Sequence, residues 1–495
     1  MSSADPTIAI ARHAPSLRHR TKIVATLGPA TDDAETLVSL FDAGVDVVRV
    51  NFSHGSAESQ AERIERVRRT ASEVGRYIGI IGDLGGPKIR IESFAAGQTK
   101  LEKGATFTLD TAMDPAAGTD AAVGVAYDKL VNDVAVGDML LLDDGQIVLN
   151  VLEISGTQVR TNVIRAGVLS NRKGLNKQGG GLTADALTDR DRRDIRTAAK
   201  LELDYIAVSF VRNAEDVNEA RRLLTDAGGR GHIIAKIERA EAVENIDDII
   251  VASDAIMVAR GDLAVEVGYA AMTGMQKGLI RMARKRNKVS ITATQMLESM
   301  ISSAAPTRAE VSDVANAVMD GTDAVMLSAE TAVGQYPVDA VRTMAQVCVG
   351  AEKHEETRSR TLFREADRFQ HVDQAIAMAV MFTASHLSVK AIIALTESGS
   401  TALWMSRRRS DIPIYALTRH EGSRRRVTLY RGVYPVSFDV VKVERDEIWR
   451  VAMSLLRAKG DLAPGDLVLY TYGQQKGVAG ATNTMQILTV PADDA

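Results

Sequence analysis

Lys236 and Glu238 stand two residues apart in the apolar run HIIAKIE, and Arg49 and Asn51 stand two apart in VDVVRVN. In an extended chain, residues at that spacing share a face. A lysine inside an apolar strand is costly unless it is paired or used. Polar residues close other runs of the same kind: Thr26, Ser53, Asp83, Arg260 with Asp262, Thr294, and Ser328 with Glu330. Glu238 and Asp262 suit one hard divalent cation, Mg²⁺ first, whose other ligands would be substrate oxygens. Lys236, Arg49 and Arg90 suit a phosphoryl group whose charge they neutralise during transfer. Gly261, at a turn or helix start, offers free N–H groups for a carboxylate or phosphate. Any one of these residues could be an ordinary strand-end ion pair. Their convergence on one rim predicts the handling of a phosphorylated, acidic substrate.

Such a rim needs a scaffold. Eight Val/Ile-rich runs, at 21–28, 45–51, 78–84, 205–210, 232–238, 255–261, 289–295 and 324–330, read as strands buried on both faces. Helix-like segments such as 34–43, 58–74, 189–200, 213–227 and 307–319 alternate with them. This pattern predicts a (β/α)₈ TIM barrel over 18–87 and 169–345. Between strands three and four the text alternates as β-strands do, which predicts a small β domain inserted at 88–168 and placed as a lid. Residues 346–495 read as a C-terminal α/β domain, and 1–17 as a loose tail. Beyond the barrel units themselves no sequence repeat is evident.

The 495 residues require several domains. A net charge of −4 argues against a nucleic-acid partner. No apolar run is long enough for a membrane span, and the single Cys348 suits a reducing, cytoplasmic setting. The P-loop, H-E-x-x-H and G-x-S-x-G patterns are absent. Gly179–Gly181, in QGGGL, read as a flexible turn. His54, in NFSHG, reads equally as a nucleotide contact or a loop histidine. LTESGSTA (395–402) places Thr396, Ser398, Gly399, Ser400 and Thr401 at a helix start, where hydroxyls and free N–H groups can cradle a phosphate. The arginine runs 407–409 and 424–426 read as solvated faces.

In order along the chain, RVNFSHG, GDLGGPKIR, AKIER, MVARGDLAVEVG, TATQMLESMI, the long block 306–332 and TNTM resemble the pyruvate kinase family. The resemblance runs from about residue 20 almost to the end. It implies a barrel with a small β-barrel lid and a C-terminal α/β domain, and transfer of a phosphoryl group from phosphoenolpyruvate to ADP, giving ATP and pyruvate. By motif position, Arg49 would bind the substrate phosphate and Lys236 would stabilise the group in flight. Gly261, Asp262 and Thr294 would hold the carboxylate and enolate, with Ser328 near the proton's route. Glu238 and Asp262 would ligate Mg²⁺, for which Mn²⁺ can substitute. Asn51, His54, Arg90 and Lys173 would contact the nucleotide. A sugar monophosphate or AMP would act at the 396–401 loop with help from 472–483, in a homotetramer.

Two features depart from the family. The potassium region at Asn51, Ser53 and Asp83 carries Leu84 and Lys88, where many relatives have a hydroxyl residue and a glutamate. This predicts that Lys88, beside Asp83, replaces the potassium ion, so that none is required. Ala264 stands where glycine is usual, in what reads as a turn. Other readings are another Mg²⁺-dependent phosphoenolpyruvate or oxo-acid barrel, which would need no nucleotide lid, and a metabolite sensor, which would lose the key charges.

Overall fold

The computed structural model describes residues 19–354, 369–475 and 477–492. The expected tail at 1–17 lies outside them. Eight parallel strands close a barrel: β1 (Lys22–Thr26), β2 (Val47–Asn51), β3 (Gly79–Asp83), β4 (Tyr205–Val208), β5 (His232–Ile237), β6 (Ala255–Ala259), β7 (Val289–Ala293) and β8 (Ala324–Leu327). Each falls within one of the eight apolar runs, because strands covered by helices outside and packed residues inside have no polar face. The helices follow the amphipathic segments closely: Ala34–Ala43, Ala57–Glu73, Asp189–Lys200, Ala214–Asp226 and Arg308–Asp320. Capping boxes at Thr188/Asp191 and Thr307/Glu310 set two of the starts.

At the foot of the barrel a fourfold device appears. Asp46, Asp204, Asp254 and Asp323 each precede an even-numbered strand. Each accepts the N–H of the second residue of the strand before it: Ile23 at 3.0 Å, Ile80 at 3.0 Å, Ile233 at 2.8 Å and Ser290 at 2.9 Å. These bonds satisfy strand-start donors that would otherwise be buried without partners.

The insertion wraps one apolar core with two ladders. A six-stranded sheet runs in the order 175–177, 139–142, 147–155, 158–165, 106–110, 122–124, and a two-stranded ribbon pairs 98–101 with 167–170. The core draws on residues from Ile89 to Ala184, so it takes in the return segment beyond residue 168.

The C-terminal domain carries a five-stranded sheet, β9 (Ala391–Leu395), β10 (Ile414–Thr418), β11 (Val433–Ser437), β12 (Leu467–Gly473) and β13 (Thr482–Thr489), in the order β11-β10-β9-β12-β13. It plugs the foot of the barrel. Arg407 grips Asp323 with Nη2–Oδ1 at 2.5 Å and Nη1–Oδ2 at 2.8 Å. Arg425 Nε lies 3.0 Å from Asp204 Oδ1, and Tyr205 donates to Arg426 O at 2.8 Å. Interior barrel residues such as Val24, Ile81 and Met326 share one core with Met381, Ile392 and Leu469. The arginine runs are thus domain-docking elements and not the solvated faces expected, because the aspartates capping the barrel strands need cationic partners.

Candidate active site

Lys236, on β5, is buried and 9% exposed. Its ammonium lies 3.0 Å from Glu238 Oε1 and 3.2 Å from Asp83 Oδ1, and donates to Ser209 Oγ at 2.7 Å. Arg49 approaches the same Asp83 from β2, with Nε 2.5 Å from Oδ2, while its Nη1 donates to Thr26 Oγ1 at 3.1 Å. Asp83 and Glu238 are almost sealed from water. Burial works to raise the Asp83 carboxyl, but Arg49 and Lys236 outweigh it and hold the group below its usual range. Burial likewise works against the Lys236 ammonium, and Asp83 and Glu238 more than compensate, so it stays charged. For Glu238 burial wins. Lys236 opposes it, the Asp262 carboxylate reinforces it, and the group is pushed up.

The strand ends hold these groups in unusual backbone. Phe210, Thr294 and Gln295 have φ of 55°, 66° and 54°, a left-handed conformation that non-glycine residues seldom adopt and that concentrates at functional sites. At Phe210 it aims the N–H at Glu238 Oε2, 2.8 Å away. At Thr294 the Arg260 guanidinium binds the carbonyls of Ala293 and Thr294 at 3.2 and 2.6 Å and is itself anchored on Asp313. Thr294 Oγ1 then accepts the Gly261 N–H at 2.9 Å. Gly261, Asp262 and Ala264 all lie in the helix Arg260–Val267, so the alanine departure sits in a helix and not in the turn expected. Ser328 N–H is held by Glu330 Oε2 at 2.7 Å, and Glu330 Oε1 accepts Leu297 N–H at 3.2 Å.

Glu238 and Asp262 come from neighbouring strand ends, and each raises a test of the divalent-cation reading. Burial is the main cause of the rise at Glu238, and the nearby Asp262 carboxylate adds to it, as two carboxylates that approach one another do. Asp262 already holds a cation: Lys88 Nζ sits 3.0 Å from Asp262 Oδ1 and 3.9 Å from Asp144 Oδ1 in the lid. Burial works against this ammonium, but Asp262 and then Asp144 raise it. The oxygen donors therefore fit a hard cation. Among the described residues no cluster of three or more His, Cys, Asp or Glu side chains suited to a metal forms, so substrate and water must complete any shell.

Lys88 was expected beside Asp83. That placement is corrected: both Asp83 oxygens face Arg49 and Lys236, and Lys88 turns to Asp262 instead. The nearby Asn51 Oδ1 accepts Ser53 N–H at 3.0 Å, and the Leu84 side chain, buried in the barrel core, presents no oxygen. His54 is exposed at the barrel rim. Arg90 and Lys173 are neighbours in the lid, joined by Ile91 N–H to Lys173 O at 3.0 Å. Arg90 donates to Arg172 O at 2.8 Å, and Lys173 pairs with Asp143 at 2.7 Å. Ser209, Phe210 and Glu330 complete the rim. The hydroxyl at the end of the fourth strand was the available signal for Ser209, which sequence reasoning passed over.

In the C-terminal domain, Thr396 and Thr401 line a cavity of about 590 Å³ with Arg445, Trp449 and Tyr472. Thr396 Oγ1 accepts Gly399 N–H at 2.9 Å. Ser398 lines a second cavity, and Ser400 Oγ is turned onto Asp373 at 3.3 Å.

A closed α/β barrel with an inserted β domain, carrying a buried lysine, an arginine and two carboxylates at one rim, has the architecture of a barrel enzyme. Comparison with known proteins narrows the class. The model for "Pyruvate kinase, barrel domain" matches residues 18–341, and that for "Pyruvate kinase, alpha/beta domain" matches 374–488. The chain is 53% identical over 475 residues to pyruvate kinase II of Salmonella typhimurium, covering 95% of this chain and 98% of that one. It is 50% identical over 469 residues to a pyruvate kinase of Haemophilus influenzae, covering 94% and 97%. It is 42% identical over 475 residues to one of Geobacillus stearothermophilus, covering 95% and 80%. The chain belongs to the pyruvate kinase family and is a phosphotransferase.

Proposed function

We propose that this protein transfers the phosphoryl group of phosphoenolpyruvate to ADP, giving ATP and pyruvate, in the cytoplasm and as a homotetramer. The observation that carries this reading is Lys236, a buried ammonium kept charged by Asp83 and Glu238 and aimed at the rim. Lys236 and Arg49 bind the transferring group and offset the charge on its oxygens in a site with little water, where electrostatic stabilisation is strongest. Asp83 is the fixed counter-ion that sets both cations. The Gly261 and Asp262 N–H groups and Thr294 hold the substrate carboxylate and enolate, and Ser328 borders the enolate face. Asn51, His54, Arg90 and Lys173 bind ADP as the lid closes. Glu238 and Asp262 would hold a divalent cation, Mg²⁺ or Mn²⁺, which would supply Lewis-acid polarisation of substrate oxygens.

Potassium is not required in this reading. Asp83 is already paired with two cations, Leu84 offers no side-chain ligand, and Lys88 places a permanent positive charge at Asp262. A sugar monophosphate or AMP activates from the cavity at Thr396 and Thr401. The reaction is tested by following pyruvate in a coupled assay with phosphoenolpyruvate, ADP and Mg²⁺. Pyruvate formed only when ADP is present supports the reading, and none above background removes it.

A further inference from the structure

Behind the rim, three segments that the reaction must keep in register meet at one buried carboxylate outside the proposed catalytic set. Glu266 lies four residues after Asp262 and is 4% exposed. Its Oε2 accepts the N–H of Ala240, two residues beyond Glu238, at 2.9 Å. Its Oε1 accepts Asn176 Nδ2 at 3.2 Å, on the strand Leu175–Lys177 by which the lid returns to the barrel. Its own carbonyl accepts the Gly179 N–H at 3.0 Å. Next to it Glu241 Oε1 takes the Gly181 N–H at 2.5 Å, and Arg239 binds Leu182 O. Gly179, Gly180 and Gly181 have φ of 80°, 80° and 98°, and a Cβ on Gly180 would stand 2.8 Å from the Glu241 carboxyl. QGGGL is therefore a shaped turn moulded onto the barrel, and not the flexible turn its composition predicts.

We propose that Glu266 is a positioning residue for phosphoryl transfer, a clamp that holds the lid's return strand against the strand ends bearing Glu238 and Asp262. The inference rests on the reading of this rim as the phosphoenolpyruvate and ADP site. Through the clamp, the lid residues Arg90 and Lys173 and the carboxylate pair keep one register.

The chemistry of the group suits the task. A carboxylate accepts at both oxygens, and both here receive N–H donors. An amide has one acceptor and one donor and must fail one of the two bonds. Burial raises the Glu266 carboxyl to about 7. The Ala240 N–H, Arg239 and Asn176 pull it down, and Glu241 pushes it up. A proton on either oxygen turns an acceptor into a donor, so the clamp is complete when Glu266 is ionised.

The test compares full-length wild type, Glu266→Gln, and Glu266→Gln combined with Asn176→Asp. In the double variant the new amide N–H faces a new carboxylate, and its oxygen still accepts from Ala240. Glu266→Gln should raise the ratio of the ADP KM to the phosphoenolpyruvate KM about tenfold, the scale of one hydrogen bond to a charged group. The double variant should return the ratio to within about threefold of wild type. Amide exchange across 176–181 should quicken in the single variant and slow again in the double, whether or not the enzyme turns over. An unchanged ratio with unchanged exchange in Glu266→Gln, or a double variant no better than the single, overturns the clamp. A wild type inactive on phosphoenolpyruvate and ADP would remove the functional reading, while the exchange measurement still decides the clamp.

Discussion

Asp83 stands 3.2 Å from the Lys236 ammonium at the closed end of the catalytic rim, with almost no water around either group. Removing the anion would leave Arg49 and Lys236 facing each other across a dry site. Breaking a buried pair this way costs about 3–5 kcal/mol. Asp83→Asn should therefore lower thermal stability and turnover together. Because the folded carboxyl lies below its unfolded range, its stabilising contribution is present above that range and lost as pH falls through the depressed value. Thermal melts on the acid side should show a shallower loss in Asp83→Asn than in wild type.

Lys88 on Asp262 gives a second expectation. Turnover in buffers whose only monovalent cation is a bulky quaternary ammonium should change little when KCl is added at matched ionic strength. A strong rise with KCl would refute potassium independence. Lys88→Glu, which puts a carboxylate where a cation sat, should lower activity, and a mutant as active as its parent would show that the lysine charge is not needed.

Glu266 predicts a pH effect of opposite sign to that of Asp83. Its carboxyl ionises near the ordinary 4.5 when unfolded and at about 7 when folded. The folded state then binds the extra proton between these values, so stability falls as pH rises through the window. Melts of Glu266→Gln across that range should be flatter than those of wild type.

Arg407 couples the C-terminal domain to β7 and β8, since Asp323 also receives the Ser290 N–H. Arg407→Ala leaves a buried carboxylate unpaired and should cost about 3–5 kcal/mol. Denaturant unfolding would report it, and a change below about 1 kcal/mol would show that the interface relaxes around the loss.

Trp449 in the C-terminal cavity offers a reporter. Titration with a sugar monophosphate or AMP should change tryptophan fluorescence and lower the half-saturating phosphoenolpyruvate concentration. Both responses should weaken in Thr396→Ala combined with Ser398→Ala. Full activation of that variant would place the effector elsewhere.

The sequence showed the barrel because strands buried on both faces leave uninterrupted Val/Ile runs, and β1 to β8 fall within those runs. It showed Lys236, Glu238 and Arg49 because a charge in such a run has to be explained. Ser209 was passed over, since a serine carries no such penalty. The fourfold aspartates at the strand feet were missed because a short polar residue before a strand looks like any turn. Lys88 was misplaced because its partners come from the helix after β6 and from the lid, and distance along the chain says nothing of which carboxylate a long, flexible side chain will find. The arginine runs went astray for a similar reason: their charge is visible in the text, but the aspartates they meet lie more than 80 residues away.

The central claim is that Lys236 provides the buried charge for phosphoryl transfer to ADP. Rapid-quench single turnover with phosphoryl-labelled phosphoenolpyruvate, ADP and Mg²⁺ tests it most directly. Wild type should move the label to ATP, and Lys236→Ala, folded by circular dichroism, should do so at least about 10³-fold more slowly. Label transfer at a near wild-type rate in Lys236→Ala would contradict the account.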